Sequence, residues 1–408
     1  MLSLKNSWQH LNRLCKTEVL ILLDNQRPQS KDTHMKANKS RQIVEDALNH
    51  AGITINGDKL YDIQVHNEDL FERVVREGEL GVGESYMDGW WDCPAPDQFF
   101  DRVFRADLQQ YFKDNWKATL HLLKAKLVNL QKNQRAYKVG EQHYDVGNDL
   151  YRDMLDSRMA YTCGYWSGGA CDLDEAQEAK LDLICRKIEL EPGMKVLDLG
   201  CGWGCFAKYA AEKYGAEVTG VTVSQEQVEL ANQMCEGLPV NIYLDDYRNA
   251  TGKYDRVVSI GIMEHVGYKN HRTYMEVADR CLKDDGIALI HTIGGNVSIT
   301  IGNPWTTTYI FPNSMLPSIS QLGAAMEGIF VMEDWHNFGP DYDKTLMVWN
   351  DNFEKSWPKY RESYGERFYR MWKFYLLSAA GAFRSRSIQL WQIVMTKPGR
   401  AQPDCRLT

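Results

Sequence analysis

The chain has 408 residues, of which 44% are hydrophobic and 25% are charged, so it holds enough apolar material for one large domain and a smaller one. Its formal net charge of −8 argues against a protein whose main partner is nucleic acid, because such proteins present a basic surface. The ten cysteines form no C-x-x-C pair and no Cys/His cluster at zinc spacing, which excludes metal fingers and iron–sulfur clusters, so no metal is expected.

The first third of the chain is predicted to contain three parts. Residues 1–36 are polar and irregular and are predicted to be a disordered extension. Residues 37–107 are predicted to form a small helical N-terminal domain, which starts with a helix at 40–51. Residues 108–140 are predicted to be a basic linker.

Within this linker, residues 113–138 carry seven basic side chains and one acidic side chain. Four leucines there share one helical face, namely Leu120, Leu123, Leu127 and Leu130. A basic amphipathic helix of this kind can lie in an anionic lipid interface. The same pattern is typical of a helix that packs its leucines on a protein core and leaves its lysines in water, and both interpretations stay open.

Residues 141–398 are predicted to form the catalytic domain, an α/β unit with a parallel doubly wound sheet. A helix at 174–188 precedes the first strand, and another helix is expected at 274–282. The predicted strands are 196–199, 217–221, 240–244, 254–259 and 287–292. In such a sheet, ligands bind at the carboxyl ends of the strands.

After Thr292 the alternation stops. An insertion rich in glycine, proline and aromatic residues runs to about Ser320, and we expect it to cover the substrate. A strand at 330–334, two aromatic helices within 343–383 and a closing strand at 388–395 follow. Aromatic helices of this kind usually pack in a core, although some of their rings could line an acyl groove.

The stretch Val196–Gly204, with the sequence VLDLGCGWG, contains the most specific motif. Gly200 and Gly202 let the backbone approach a ligand closely, and Asp198 at the strand end can hold a polar part of a cofactor. A nicotinamide or flavin site requires G-x-G-x-x-G and an acidic residue about 20 positions further on. Here the spacing is G-x-G-x-G and no carboxylate closes the next strand, so the motif resembles the S-adenosylmethionine loop of Rossmann-like methyltransferases. A glycine turn without a ligand is the plainer alternative.

The ribose contact must then come from elsewhere, and Gln227 in the next helix is the nearest candidate. Ser224 and Gln227 are also predicted to form a capping box at the start of that helix.

Six further blocks accompany the glycine loop. They are GESYMDGWW at 83–91, HYDVGN at 143–148, YTCGYW at 161–166, GIMEHVG at 261–267, HTIG at 291–294 and DYD at 341–343. In this order they resemble the cyclopropane fatty acid synthases, and the resemblance covers residues 40–397.

The resemblance implies a class I S-adenosylmethionine methyltransferase sheet and a defined activity. Members of that family transfer a methylene group from S-adenosylmethionine to the cis double bond of an acyl chain in a membrane phospholipid, forming a cyclopropane ring. It further implies a cytoplasmic homodimer that is peripheral on the inner face of the cytoplasmic membrane. The residues expected at the cofactor are Tyr161, Thr162, Asp198, Gly200, Gly202, Thr222, Gln227 and Asp246.

The resemblance also implies that a bicarbonate ion acts as the base. The positions expected to hold it are the side chains of Glu264, His291 and Tyr342 and the backbone of Cys163 and Ile293. The residues themselves support part of this, because Glu264 and His291 follow neighbouring predicted strands and should meet in the crevice beside the glycine loop. Tyr161, Tyr165 and Trp166 could shield a carbocation from water.

Each of these residues also has a plainer interpretation. Glu264 could be a helix-terminus carboxylate, His291 a core histidine and Tyr342 a packing aromatic, while Cys163 is expected to be a buried apolar residue without thiol chemistry. Two other functions stay open as well. One is a related fatty-acyl methyltransferase that leaves a methyl or methylene branch, and the other is a catalytically silent lipid-binding protein.

Overall fold

A computed structural model describes residues 30–108, 111 and 147–407. Residues 1–29 of the predicted extension, the basic segment 113–138 and residues 143–146 of the HYDVGN block lie outside the described residues. Among the residues that are described, no helix is both long and apolar enough to cross a bilayer.

Within residues 30–108, the chain forms four helices and a short antiparallel strand pair. These elements are α1 (Ser30–His50), β1 (Gln64–Val65), α2 (Asp69–Glu77), α3 (Glu79–Met87), β2 (Trp91–Asp92) and α4 (Pro96–Arg105). The helix expected at 40–51 is therefore confirmed, although it begins ten residues earlier. The aromatic side chains of this segment share one core with the C-terminal helices, for example where Phe100 meets Phe374 at 5.1 Å between ring centroids. The division of the chain into domains stays a prediction.

A seven-stranded sheet forms the centre of the remaining chain. Its strands are β3 (Lys195–Leu199), β4 (Glu217–Thr222), β5 (Val240–Leu244), β6 (Tyr254–Ile260), β7 (Leu282–Gly295), β8 (Val331–Asn337) and β9 (Ile388–Thr396). They lie side by side in the order β5-β4-β3-β6-β7-β9-β8. The predicted parallel arrangement is confirmed for β3 to β7, whereas the closing strand β9 runs antiparallel to both of its neighbours.

The direction of β9 follows from the two helices that precede it, α13 (Gly339–Ser356) and α14 (Arg361–Arg384). These helices are antiparallel, since Tyr342 near the start of α13 stacks on Phe383 near the end of α14, at 4.6 Å between ring centroids. Two antiparallel helices return the chain to the end of the sheet at which β8 finished. The next strand therefore has to run in the opposite direction.

Eight more helices lie around the sheet among residues 147–407. They are α5 (Asn148–Met154), α6 (Leu173–Lys187), α7 (Cys205–Tyr214), α8 (Gln225–Met234), α9 (Met263–Val266), α10 (His271–Cys281), α11 (Pro304–Tyr309) and α12 (Ile319–Met326). The helices predicted at 174–188 and 274–282 correspond to α6 and α10. In α6 the Asp172 side chain accepts the Glu175 N–H at 2.9 Å and so satisfies one of the free donors at the helix start.

The capping box predicted at α8 is only half formed. The Ser224 hydroxyl accepts the Gln227 N–H at 3.3 Å, but the Gln227 side-chain oxygen accepts the Thr222 hydroxyl at 2.6 Å instead of reaching back to the Ser224 backbone. A complete capping box occurs at α12, between Ser318 and Gln321. It anchors the far end of the insertion.

The insertion between β7 and β8 contacts the front segment. Trp305 in α11 lies directly on Gly83 in α3, where any side chain larger than hydrogen would overlap the indole ring. Trp305 also packs against Phe374 in α14 at 4.5 Å between ring centroids. Front segment, insertion and C-terminal helices thus meet at one point.

Candidate functional site

The glycine loop between β3 and α7 is shaped by close packing against its neighbours. The N–H groups of Gly200 and Cys201 donate to the Val221 carbonyl at 2.9 and 3.0 Å, which ties the loop to β4. Gly200 has φ +86°, and a Cβ at this position would overlap the Ile262 side chain. A Cβ at Gly202, with φ +55°, would meet nothing within 4 Å. The loop therefore needs glycine at Gly200 for packing, while Gly202 faces open space.

Asp198 lies at the carboxyl end of β3, beneath this loop. It is fully buried, and its Oδ1 atom has no hydrogen-bond partner among the described residues. Burial raises the pKa of its carboxyl to about 7, although the buried ammonium of Lys180 opposes this rise. An unpartnered buried carboxylate beside a glycine loop fits the hydroxyl or ammonium donors of a cofactor.

The other expected cofactor residues all follow the carboxyl ends of strands or lie beside them, but most are already engaged. Thr222 bonds to Gln227, Thr162 accepts the Lys180 ammonium at 2.9 Å, and the Tyr161 hydroxyl donates to Tyr375 at 3.0 Å. Both carboxylate oxygens of Asp246 accept from Arg248. Asp198 and Gly202 are thus the two positions here that offer an unused polar atom or open space in the described structure.

Glu264 lies in α9 just after β6, and His291 lies on β7, where it pairs with Ile260, the last residue of β6. The Glu264 Oε1 atom accepts the Ile293 N–H at 2.6 Å, and the His291 Nδ1 atom lies 3.4 Å from the Gln392 amide nitrogen. Both side chains are buried, and within the part of the chain that the structure describes, Glu264 Oε2 and His291 Nε2 have no hydrogen-bond partner. Burial raises the pKa of Glu264 to about 7 and lowers that of His291 well below its usual value. A carboxyl that titrates near neutral pH beside a neutral imidazole is suited to proton handling.

Tyr342 and Cys163 are buried, and neither is ionised. Burial holds the pKa of both groups well above the usual values. The Cys163 thiol donates to the Gly164 carbonyl at 3.1 Å, which agrees with the expectation of no thiol chemistry. Tyr342 presents its ring to Trp349 at 5.9 Å between ring centroids.

Asp341 holds the segment that carries Cys163, and sequence reasoning did not single it out. Its carboxylate accepts the backbone N–H groups of Trp166 and Ser167 at 2.7 and 2.9 Å and the Ser167 hydroxyl at 3.0 Å. One helical turn later, Thr345 accepts the Gly164 N–H at 3.1 Å. The first residue of the DYD block was the available signal for this contact.

The aromatic surround differs from the expected one. Tyr161 contacts Tyr151 and Trp349, with ring centroids 5.1 and 5.2 Å apart, and Phe311 joins this group through Tyr375 at 5.6 Å. Tyr165 and Trp166 instead lie against the start of α13, where Tyr165 meets Phe338 at 5.3 Å and the Trp166 indole donates to Thr345. Tyr151 and Phe311 were not expected here. They come from α5 and the insertion, and no spacing in the sequence connects them. Trp349 and Tyr375 belong to the aromatic helices predicted within 343–383, whose rings were expected either to pack in a core or to line an acyl groove.

Asp198 and Glu264 should give the ligand-free protein a distinctive dependence of stability on pH. Folding raises the pKa of these carboxyl groups from 3.8 and 4.5 to about 7. Each group therefore stabilises the folded state at low pH, and this contribution to the free energy of unfolding is lost as the pH rises to about 7. We therefore expect wild type to lose stability relative to Asp198→Asn between about pH 4 and pH 7, by at most about 1.4 kcal/mol per pH unit. Urea unfolding of both proteins at several pH values measures this difference, and parallel curves would contradict it.

Comparison with known proteins identifies close relatives. Residues 131–393 match the family described as "Mycolic acid cyclopropane synthetase". The Escherichia coli (strain K12) protein named "Cyclopropane-fatty-acyl-phospholipid synthase" is 52% identical over 356 residues, which cover 87% of this chain and 93% of that protein. The solved structure of the cyclopropane synthase MmaA2 from Mycobacterium tuberculosis superposes with a TM-score of 0.59 at 29% identity and covers 64% of this chain and 98% of that one. The mycolic acid cyclopropane synthase CmaA1, solved with SAH and CTAB, gives a TM-score of 0.58 at 31% identity over the same shares.

Proposed function

Since the chain belongs to the mycolic acid cyclopropane synthetase family and is an S-adenosylmethionine-dependent cyclopropane-fatty-acyl-phospholipid synthase, we propose that Glu264 and His291 form its base site and Asp198 anchors its methyl donor. The enzyme transfers a methylene group to the cis double bond of unsaturated acyl chains in phospholipids. The observation that carries the assignment of the base site is the pair of unpartnered buried atoms, Glu264 Oε2 and His291 Nε2.

S-adenosylmethionine supplies an electrophilic sulfonium methyl group when it is bound. Asp198 would accept hydrogen bonds from the bound cofactor. Its buried Oδ1 atom, which has no hydrogen-bond partner among the described residues, would then gain one. Gly202 allows the cofactor to approach the backbone. Thr222, at the end of β4, donates its hydroxyl to the Gln227 side-chain oxygen, and the Gln227 amide would contact the ribose of the bound cofactor.

Glu264 and His291 would hold the bicarbonate through their unpartnered buried atoms, Oε2 and Nε2, and the anion would supply a base for the proton lost from the transferred methyl group. Glu264, with a pKa of about 7, donates a hydrogen bond to the anion in its protonated form. His291, which is neutral, donates from its Nε2 atom in the tautomer that leaves Nδ1 to accept from Gln392. The Ile293 N–H already donates to Glu264 Oε1 and so positions that carboxyl group. It could donate to the anion only by sharing its hydrogen with Glu264.

The aromatic group around Tyr161 protects the cationic intermediate. The rings of Tyr151, Tyr161, Trp349 and Phe311 come from four separate segments and exclude water on one side of the site. Their faces also stabilise positive charge by cation–π attraction, which reaches about 2 kcal/mol or more per ring when the site is dry.

The remaining proposals concern where the enzyme works. It acts on lipid substrates, and we place it on the inner face of the cytoplasmic membrane as a peripheral, homodimeric protein that binds no nucleic acid. The net charge of −8 supports the last point. The basic segment 113–138, if helical, would add attraction to anionic lipid.

Unsaturated phospholipid vesicles incubated with the protein and S-adenosylmethionine should yield acyl chains that are heavier by one CH₂ and contain no double bond. Mass spectrometry and proton NMR of the extracted lipids measure this, and vesicles without S-adenosylmethionine are the control. Chains heavier by one CH₂ that carry an exocyclic alkene, or saturated methyl-branched chains heavier by one CH₂ and two further hydrogens, would indicate the branching relative instead. Unchanged lipid from protein that binds S-adenosylmethionine would support the silent lipid-binding protein.

A further inference from the structure

The insertion and the segment that follows it form the longest part of the chain without charge. Residues 292–326 contain no Asp, Glu, Lys, Arg or His, in a protein in which 25% of residues are charged. Charged side chains are costly to remove from water, so a surface that meets lipid tends to lack them. The chemistry described above uses none of the exposed side chains in this stretch.

Three branched apolar side chains of this segment point into solvent. Val297, Ile301 and Ile319 are 71%, 81% and 59% exposed. Exposed apolar residues are unremarkable one at a time, but a cluster of them marks an interaction surface. We call these three residues the apolar rim.

Several hydrogen bonds hold the rim in place. The hydroxyl groups of Ser298 and Ser318 lie 2.7 Å apart, and the Gln321 amide donates to the Ile299 carbonyl at 2.7 Å. The Gly295 N–H donates to the Pro317 carbonyl at 2.8 Å. The two strands of backbone that carry the rim are therefore fastened to each other, and the exposed side chains belong to an ordered surface.

The rim borders an open groove of about 480 Å³. Ile301, Tyr268 and Met315 line it, and the Met315 N–H donates to the Glu264 carbonyl at 2.8 Å. Among the groove-lining residues of the described structure, Lys269 is the only charged one. An uncharged rim with a single ammonium beside it matches the surface of a phospholipid leaflet, which presents acyl chains beneath a layer of phosphate.

We infer that the apolar rim inserts into the phospholipid bilayer, with Lys269 at the headgroup phosphate, so that the groove receives the lipid beside Glu264. This inference rests on the proposed function, because it assumes that the substrate is taken from a bilayer. It differs from attraction by the basic segment 113–138 in its physical basis, since burial of apolar surface persists at high salt whereas attraction between charges is screened.

The test is sedimentation with vesicles of zwitterionic dioleoylphosphatidylcholine at raised salt, without S-adenosylmethionine. Wild type should pellet with these vesicles. The double variant Val297→Asp/Ile319→Asp, which leaves the groove lining intact, should bind them at least about tenfold more weakly, because two inserted side chains become charged. Leu60→Asp is the matched control, since Leu60 is 61% exposed in the front segment and should pellet like wild type.

Kinetics on the same vesicles add a second readout. The KM for vesicle lipid should rise about tenfold in the double variant, while kcat at saturating lipid and the affinity for S-adenosylmethionine stay within about twofold. If wild type forms no product on these vesicles, that result contradicts the proposed function. The sedimentation experiment still tests the inference about the rim in that case, because it needs no turnover. Three results would overturn the inference. The first is equal pelleting of the variant and wild type, and the second is pelleting of wild type only with anionic vesicles at low salt. The third is a variant that still pellets but no longer self-associates, because the rim would then be a contact between two copies of the chain.

Discussion

Glu264→Gln should lower kcat by two orders of magnitude or more while leaving the affinity for S-adenosylmethionine within a few-fold of wild type. Glutamine keeps the shape of the side chain and the oxygen that accepts the Ile293 N–H, but it can neither take up nor release a proton at the position of Oε2. Loss of an acid–base or charge-stabilising group typically costs about 10²- to 10³-fold. Steady-state rates of ring formation on vesicles and calorimetric titration of S-adenosylmethionine measure the two quantities.

Glu333→Gln is the matched control for this variant. Glu333 is also a buried glutamate, but it lies on β8, where it accepts the Thr396 hydroxyl at 2.6 Å. Its replacement should change kcat by no more than about threefold, because it removes a buried carboxyl group without touching the reacting groups. A kcat for Glu264→Gln within about threefold of wild type would exclude Glu264 from the base site.

Gly200→Ala should destabilise the protein by about 2–5 kcal/mol and abolish measurable binding of S-adenosylmethionine. The methyl group would overlap the Ile262 side chain, and the backbone would be held at φ +86°, which costs a residue with a Cβ about 1–2 kcal/mol by itself. Overpacking adds about 1–3 kcal/mol. Thermal and urea unfolding measure the stability, and titration measures the binding.

Two companion variants separate packing from binding. In Gly202→Ala the new methyl group meets nothing within 4 Å, so we expect a loss of only about 1–2 kcal/mol in stability but a clear loss of cofactor affinity. Ile262→Ala in the Gly200→Ala background removes the overlapping side chain and should restore part of the stability. If Gly200→Ala is as stable as wild type, the packing account of the loop is wrong.

The centre of the sheet could be predicted from sequence because β3, β4, β6 and β7 are largely buried on both faces and appear as short apolar runs. Leu199 and Thr222 end their strands within one residue of expectation. The exceptions are β7, which spans Leu282–Gly295, and β8, which extends to Asn337. Both strands stay paired with β9 as far as these C-terminal ends, and their own composition does not encode that pairing. The direction of β9 was not predictable either, since an apolar run looks the same in a parallel and an antiparallel strand.

The residues of the candidate site also divide into those that the strand pattern predicts and those that it does not. Glu264 and His291 could be brought together because a topological rule connects the ends of neighbouring parallel strands. Asp341, Phe311 and Tyr375 come from the helices and the insertion outside that alternation, and no comparable rule relates them to the sheet. Their contacts depend on how α13 and α14 pack, which local periodicity does not encode.

The contact of the front segment with α14 has a consequence for how the protein unfolds. A Cβ at Gly381 would lie 2.7 Å from the Asp97 carbonyl oxygen, and Arg384 bridges the carboxylates of Asp97 and Asp343. Backbones that approach so closely and share one apolar core cannot separate without exposing both sides to water. The front segment and the helical pair therefore make up a single cooperative unit. Local opening of this unit would expose the aromatic rings around Tyr161 and admit water to the cationic intermediate. We therefore expect ring closure to depend on a segment that is far from the reacting atoms in sequence.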